Sequence, residues 1–227
     1  MATFIALIFS VLAVAMASTD LHRLATNPSL DPFQDPSKFI WNTSPVYLSR
    51  VSVYNTSAFL NGSKPWCVLS RYWSNTTNNV ERSLDIYSTN NRSMNISLSV
   101  QKEHTEQAQH YILRVNVSES TPSLGDIFDM GYNYTQLHSD LSFNYSLHTL
   151  AVLYSDAHCL ILYRKLKTGS IGRPWLQCSM WLTEQKIRKP PKCCQFVFAL
   201  MCTPLVETVE VFDDSCLPKE SKSKRKP

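Results

Sequence analysis

Polar and apolar residues alternate along most of the chain, and the alternating segments are rich in β-branched and aromatic residues. A period of two residues is typical of strands that bury one face. Turns rich in Asn, Ser, Gly and Pro separate these segments. The pattern predicts nine strands, at residues 46–54, 66–73, 84–89, 94–100, 111–117, 132–137, 141–154, 159–166 and 175–182.

One helix and a last strand are predicted after them. Pro190 and Pro191 precede segment 193–202, whose apolar residues share one side, and proline is favoured at the start of a helix. A strand is predicted at 206–212. Short strands followed by one helix indicate an all-β antiparallel barrel. Closed barrels of about eight strands leave an interior that holds one small ligand.

The two ends of the chain differ from the rest. Residues 1–17 are mostly apolar and end in Ala-Met-Ala, which is typical of a signal peptide. They are shorter than the roughly 20 apolar residues of a membrane-spanning helix. We therefore expect a secreted protein without membrane insertion. Residues 18–45 would form a lead-in, and 46–216 a single barrel domain.

The net charge of +4 is concentrated in the tail, 217–227, which holds five basic residues and one acidic residue. The rest of the chain is balanced, which argues against nucleic acid as a partner. The tail itself is predicted to be disordered and solvated. Contact of the tail with a heparin-like polyanion or an anionic surface is the alternative.

N-glycosylation sequons are unusually frequent. Nine asparagines begin an N-x-[ST] triplet, which indicates passage through the secretory pathway. Asn42 is the weakest acceptor, because Pro45 follows its triplet. The region after residue 145 has no sequon, which suggests a surface occupied by packing, disulfides or partners. The nine are Asn42, Asn55, Asn61, Asn75, Asn91, Asn95, Asn116, Asn133 and Asn144.

The seven cysteines predict disulfides, because a secreted protein folds in an oxidising compartment. A metal site is not expected, since the chain lacks a C-x-x-C pair and zinc-type Cys/His spacing. Spacing alone does not fix which cysteines pair. Three bridges would leave one thiol over.

Catalysis is not expected either. The chain has only five glycines, no G-x-S-x-G or H-E-x-x-H motif, and six scattered histidines. These features predict a binding protein that needs no cofactor.

Several segments of the C-terminal half carry a resemblance. They are 152–163 (VLYSDAHCLILY), 178–181 (CSMW), 193–198 (CCQFVF), Cys202 and 209–216 (VEVFDDSC). Together they resemble the tick salivary lipocalins that include histamine-binding proteins, as a divergent member. The resemblance implies an eight-stranded barrel with a C-terminal helix on its outer wall. It also implies a pocket that captures host mediators such as histamine, serotonin or leukotrienes.

The same resemblance implies three disulfide pairs: Cys67 with Cys216, Cys159 with Cys194, and Cys178 with Cys202. As the partner of Cys159, Cys194 is preferred to Cys193, because the family places an aromatic residue four positions after the paired cysteine and Phe198 occupies that position. Cys193 would remain free or form an intermolecular bridge in a dimer.

The amine-binding members hold their ligand with two carboxylates, and the resemblance places these positions at Leu160 and Ser179. Without them a protonated amine would be buried unpaired, which costs several kcal/mol. An aromatic cage is one alternative for an amine. A fatty acid, an eicosanoid or a sterol fits better, and His148 could pair with a carboxylated head group. By family register His148, Leu150, Val152 and Tyr154 face inward. The expected ligand-binding residues are His148, Leu150, Val152, Leu160, Leu162, Ser179 and Trp181.

Two functions are compatible with the sequence. The first is sequestration of a small hydrophobic or amphipathic host mediator, to suppress host inflammation or haemostasis. The second is an immunomodulatory interaction in which the outer surface binds a host immune, complement or coagulation protein.

Overall fold

The computed structural model describes residues 25, 27–53, 67–87, 92–105, 108–117, 147–167 and 174–217. The predicted signal peptide, the tail beyond Leu217 and the predicted strand 132–137 lie outside these residues. Five of the nine sequons also lie outside them: Asn55, Asn61, Asn91, Asn133 and Asn144. None of the helices described is long and apolar enough to cross a membrane.

Eight antiparallel strands close into a barrel. The ring runs β1-β2-β4-β5-β6-β7-β8-β9, and β9 pairs back with β1. Two further strands lie beside the ring, since β3 pairs with β4 and β10 pairs with β1. The predicted eight-stranded barrel is therefore confirmed. The strands are β1 (Val46–Val53), β2 (Cys67–Ser70), β3 (Tyr72–Asn75), β4 (Asn79–Tyr87), β5 (Arg92–Thr105), β6 (Ala108–Val117), β7 (Leu147–Ser155), β8 (Cys159–Lys167), β9 (Pro174–Thr183) and β10 (Glu207–Glu210).

Short helical turns precede the barrel. The 3-10 turn Pro28–Phe33 is capped by Asn27, and the Lys102 ammonium on β5 bonds its Asp31 carboxylate at 2.5 Å. Helix α1 (Ser37–Ile40) follows and buries Phe39 and Ile40 against the inward side of the barrel. The lead-in is thus packed onto the barrel rather than separate from it.

The predicted C-terminal helix is present as α2 (Lys192–Cys202), one residue longer than expected. The last strand is shorter than predicted. It pairs with β1 only as far as Glu210, because the next two amides, Val211 and Phe212, both donate to the Ser49 carbonyl and leave the ladder.

Some predicted strand limits were wrong. Segment 66–73 is two strands, β2 and β3, separated at Arg71. Strand 84–89 begins five residues earlier, at Asn79, because the buried polar residues Arg82 and Ser83 hide the alternation there. Strand 94–100 is the middle of the longer β5.

The barrel wall separates two hydrophobic clusters. The inner cluster fills the barrel, whereas the outer cluster lies between β8, β9 and α2. Along β8, residues alternate between them: Leu160 and Leu162 face inward, and Ile161 and Tyr163 face outward. An irregularity in β7 between Val152 and Tyr154 shifts this alternation. Tyr154 therefore packs with the outer cluster, which corrects the expectation that it faces inward.

Three disulfides lie on the outer side of the barrel wall: Cys67–Cys216, Cys159–Cys194 and Cys178–Cys202. They are the pairs that the resemblance implies, and Cys193 is left as an exposed free thiol. Two of the bridges fasten α2 to β8 and β9. The third closes a sequence separation of 149 residues, for which chain entropy predicts about 5 kcal/mol of stabilisation.

Candidate functional site

A cavity of about 50 Å³ lies inside the barrel. Side chains from α1 and from seven barrel strands surround it, and all but two of them are apolar or aromatic. The exceptions are Ser70 and Arg82. The lining residues are Phe39, Ile40, Val46, Ser70, Arg82, Leu84, Ile96, Leu98, Leu113, Val115, Leu160, Leu162 and Trp181.

The size of the cavity limits what fits without rearrangement. Pockets for drug-sized ligands measure roughly 300–1,000 Å³. A lipid-sized molecule would therefore have to displace some of the lining side chains. Most of these are aliphatic, and they can change rotamer without breaking a hydrogen bond.

Arg82 forms the polar end of the cavity and is only 2% exposed. Its Nε donates to Ser70 Oγ at 2.9 Å. Its other N–H groups donate to backbone carbonyls: Nη1 to Ile40 and Asn42, at 3.2 and 2.7 Å, and Nη2 to Ser44 and Ser70, both at 3.1 Å. All five donors are used. Arg82, on β4, thereby ties the lead-in to the neighbouring strands β2 and β4.

The charge of Arg82 is held by neutral acceptors, and no carboxylate lines the described cavity. Burial disfavours the charged form and lowers the pKa of Arg82 to about 10, which leaves it protonated at physiological pH. Asp85 does not compensate it, because this side chain lies on the opposite face of β4 and bonds Arg71 at 2.8 Å. The cavity is therefore apolar with a positive end.

All seven expected ligand-binding residues lie on the inward side of the barrel. Leu160, Leu162 and Trp181 line the cavity directly. Leu150 and Val152 belong to the inner cluster but are not among the lining residues. The sixth, Ser179, is half-buried opposite Leu162, and its Oγ accepts a hydrogen bond from the Trp181 indole at 3.2 Å.

The seventh, His148, is half-buried and is not among the residues that line the cavity. Its Nδ1 lies 3.5 Å from Nη2 of Arg164, which shares the face of Leu160 and Leu162 on β8. Sequence reasoning missed both arginines of the interior. The spacing of Arg164 from Leu160 could have identified it as a residue on the same face of its strand. The position of Arg82 between Val80 and Leu84 was the corresponding signal for Arg82.

The outward face of the wall contains two tyrosines with raised pKa values. Burial raises the pKa of the Tyr163 hydroxyl, and burial followed by the charge of Asp156 raises the pKa of Tyr154 to about 12. Both tyrosines belong to the layer between the wall and α2. This layer covers β8 and β9, which carry no sequon. The sequons Asn95 and Asn116 lie exposed on β5 and β6.

The solved structures that this chain resembles include two of low sequence identity. Japanin from Rhipicephalus appendiculatus, in a structure bound to cholesterol, is 20% identical, with a TM-score of 0.49. That match covers 77% of this chain and 96% of Japanin. Insecticyanin from the tobacco hornworm Manduca sexta is 10% identical, with a TM-score of 0.44, and the match covers 79% and 82% of the two chains. Comparison with curated protein sequences gave no significant match.

The closed barrel, the apolar cavity inside it and the helix on the wall define a lipocalin-like binding protein. The model of the tick histamine-binding protein family matches residues 24–218, which is most of the chain. The protein belongs to this family. The resemblance seen in the C-terminal half therefore extends over both halves of the barrel.

Proposed function

We propose that the protein is a secreted lipocalin that sequesters a small apolar or amphipathic host mediator and so suppresses inflammation or haemostasis. A fatty acid, an eicosanoid or a sterol is favoured over a biogenic amine. The observation that carries this proposal is the composition of the cavity, whose described lining is apolar except for Ser70 and the cationic Arg82.

Electrostatics disfavours an amine. A protonated amine in the cavity would leave water without gaining a carboxylate partner among the described lining residues, at a cost of several kcal/mol. Leu160 lines the cavity, and Ser179 lies on the same wall. These are the two positions at which the resemblance places the amine-binding carboxylates. The positive charge of Arg82 would add repulsion.

Secretion is supported by the sequence of residues 1–17 and by the positions of the described sequons. Asn75, Asn95 and Asn116 are exposed. Asn42 is half-buried, and its Nδ2 donates to the Ala157 carbonyl at 3.3 Å. We infer that the three exposed asparagines carry glycans in the secretory pathway, whereas Asn42 does not.

Binding can be tested with a panel of histamine, serotonin, a leukotriene, arachidonate and cholesterol, added to protein secreted from insect cells. We expect at least one of the three lipids to bind and both amines to fail. Native mass spectrometry of the same preparation would detect a co-purified ligand by its mass. Tight histamine binding would contradict the proposal.

A variant that fills the cavity locates the binding. Leu162→Trp adds bulk at a side chain that is 3% exposed and lines the cavity, and we expect it to abolish lipid binding. Leu205→Trp adds the same bulk at a surface position that is 39% exposed, and binding should persist. Equal binding by the two variants would place the ligand outside the cavity.

A further inference from the structure

Ser70 is a buried hydroxyl at the polar end of the cavity. It is 4% exposed and lines the cavity from the inward face of β2. Its Oγ accepts the Nε proton of Arg82 at 2.9 Å. Among the residues described, no acceptor takes the hydroxyl proton of Ser70 itself. This proton is therefore available to an acceptor inside the cavity.

Arg82 determines how the hydroxyl is used. Because Arg82 donates to Oγ, the Ser70 side chain is available to a ligand as a donor. The remaining four N–H bonds of Arg82 hold the guanidinium in place, so it cannot swing away. A hydrogen bond from a cation polarises the hydroxyl that accepts it and makes that hydroxyl a stronger donor.

Among the lining residues that the structure describes, the charge at this end of the cavity is positive only. The carboxylates of β4, Glu81 and Asp85, lie on the outer face, where they bond Ser97 and Arg71. The described lining of the cavity includes no carboxylate. An anionic or acceptor-bearing group would thus meet both a donor and a positive charge.

We propose that Ser70 and Arg82 form a head-group site that takes a hydrogen-bond acceptor, with a carboxylate preferred. An oxygen of the ligand accepts the Ser70 hydroxyl proton, and Arg82 supplies the compensating charge behind it. The hydrocarbon part of the ligand displaces some of the aliphatic lining side chains and occupies the apolar remainder of the cavity. This proposal rests on the proposed function, because it requires a ligand inside the barrel.

The test uses three ligands with the same alkyl chain and different head groups: decanoate, decanol and decylamine. Each is titrated into the full glycosylated protein at neutral pH by calorimetry. We expect decanoate to bind most tightly and decylamine most weakly, with a ratio of about tenfold or more between them, because charge-assisted hydrogen bonds are roughly twice as strong as neutral ones.

Ser70→Ala removes the donor and should weaken decanoate binding by about tenfold. Ser52→Ala is the matched control, since Ser52 is a buried serine with two hydrogen bonds on the outward side of the wall, at Leu176 and Cys178. It should leave the three affinities unchanged. Ser70→Thr keeps the hydroxyl and should restore the preference.

The outcomes separate the two proposals. If none of the three ligands binds, or Leu162→Trp leaves their binding unchanged, sequestration in the cavity is wrong. If they bind with equal affinity, or decylamine binds best, the head-group site is wrong while the cavity remains the binding site. The order of the three affinities in the unsubstituted protein tests the head-group site even if Ser70→Ala does not fold.

Discussion

Replacing Arg82 with methionine tests whether this side chain holds the lead-in against the barrel. Hydrogen bonds to a charged group contribute about 1.5–3 kcal/mol each, so the five bonds of Arg82 amount to on the order of 10 kcal/mol. Burying the charge costs several kcal/mol in the opposite direction. The bonds outweigh the desolvation, and methionine leaves five acceptors without a donor. We expect Arg82→Met to lower the free energy of unfolding by about 4 kcal/mol.

Urea unfolding followed by tryptophan fluorescence measures this loss. Arg50→Met is the control, because Arg50 forms a single exposed ion pair with Glu210, and its loss should cost less than about 1 kcal/mol. Arg82→Lys keeps the charge but offers only three donors. Its free energy of unfolding should therefore lie between those of Arg82→Met and the unsubstituted protein. If Arg82→Met came within about 1 kcal/mol of the unsubstituted protein, desolvation would cancel the bonds and the reasoning would be refuted.

The outer layer and the surface give three more predictions. The pKa of Tyr154 is about 12 and that of Tyr163 is also raised, whereas both titrate near 10 when unfolded. As pH rises, the tyrosines of the unfolded chain therefore lose their protons before those of the folded protein. The free energy of unfolding should fall as pH rises from about 10 towards 12. A urea midpoint that stayed constant over this range would contradict this expectation. Alkylation of the native protein should modify Cys193 alone, by peptide mass spectrometry, and modification of a second cysteine would contradict the disulfide pairing. Glycopeptide mass spectrometry should find glycans on three exposed asparagines and none on Asn42, and an occupied Asn42 would refute the argument from its burial. The three are Asn75, Asn95 and Asn116.

The sequence predicted the fold because strand alternation is a local signal. Strands β8 and β9 were placed within one residue of their observed limits, since each is a largely apolar run bounded by turns. The closure of the ring by β1 and β9 is a contact between distant segments. The strand pattern indicated a barrel, but the ring of eight strands was reached only through the resemblance.

The site was less accessible to prediction. Leu160 and Trp181 were identified by family position, and both line the cavity. Arg82 was missed because an arginine between apolar residues suggests an end of the strand, whereas here backbone carbonyls from the lead-in satisfy it. Tyr154 was wrongly expected to face inward. An irregularity in β7 between Val152 and Tyr154 reverses the alternation of inward and outward positions, and the local sequence does not indicate it.

The two clusters on opposite faces of one wall have a consequence for how such a protein can diverge. On β8 and β9, residues that touch the cavity alternate with residues that hold α2 in place. If the proposed function is right, substitutions at Leu160 or Ser179 would change the chemistry offered to a ligand, while Cys159, Cys178 and their neighbours keep the outer layer intact. Selection for a new ligand and selection for stable folding thus act on different, interleaved positions of the same strands.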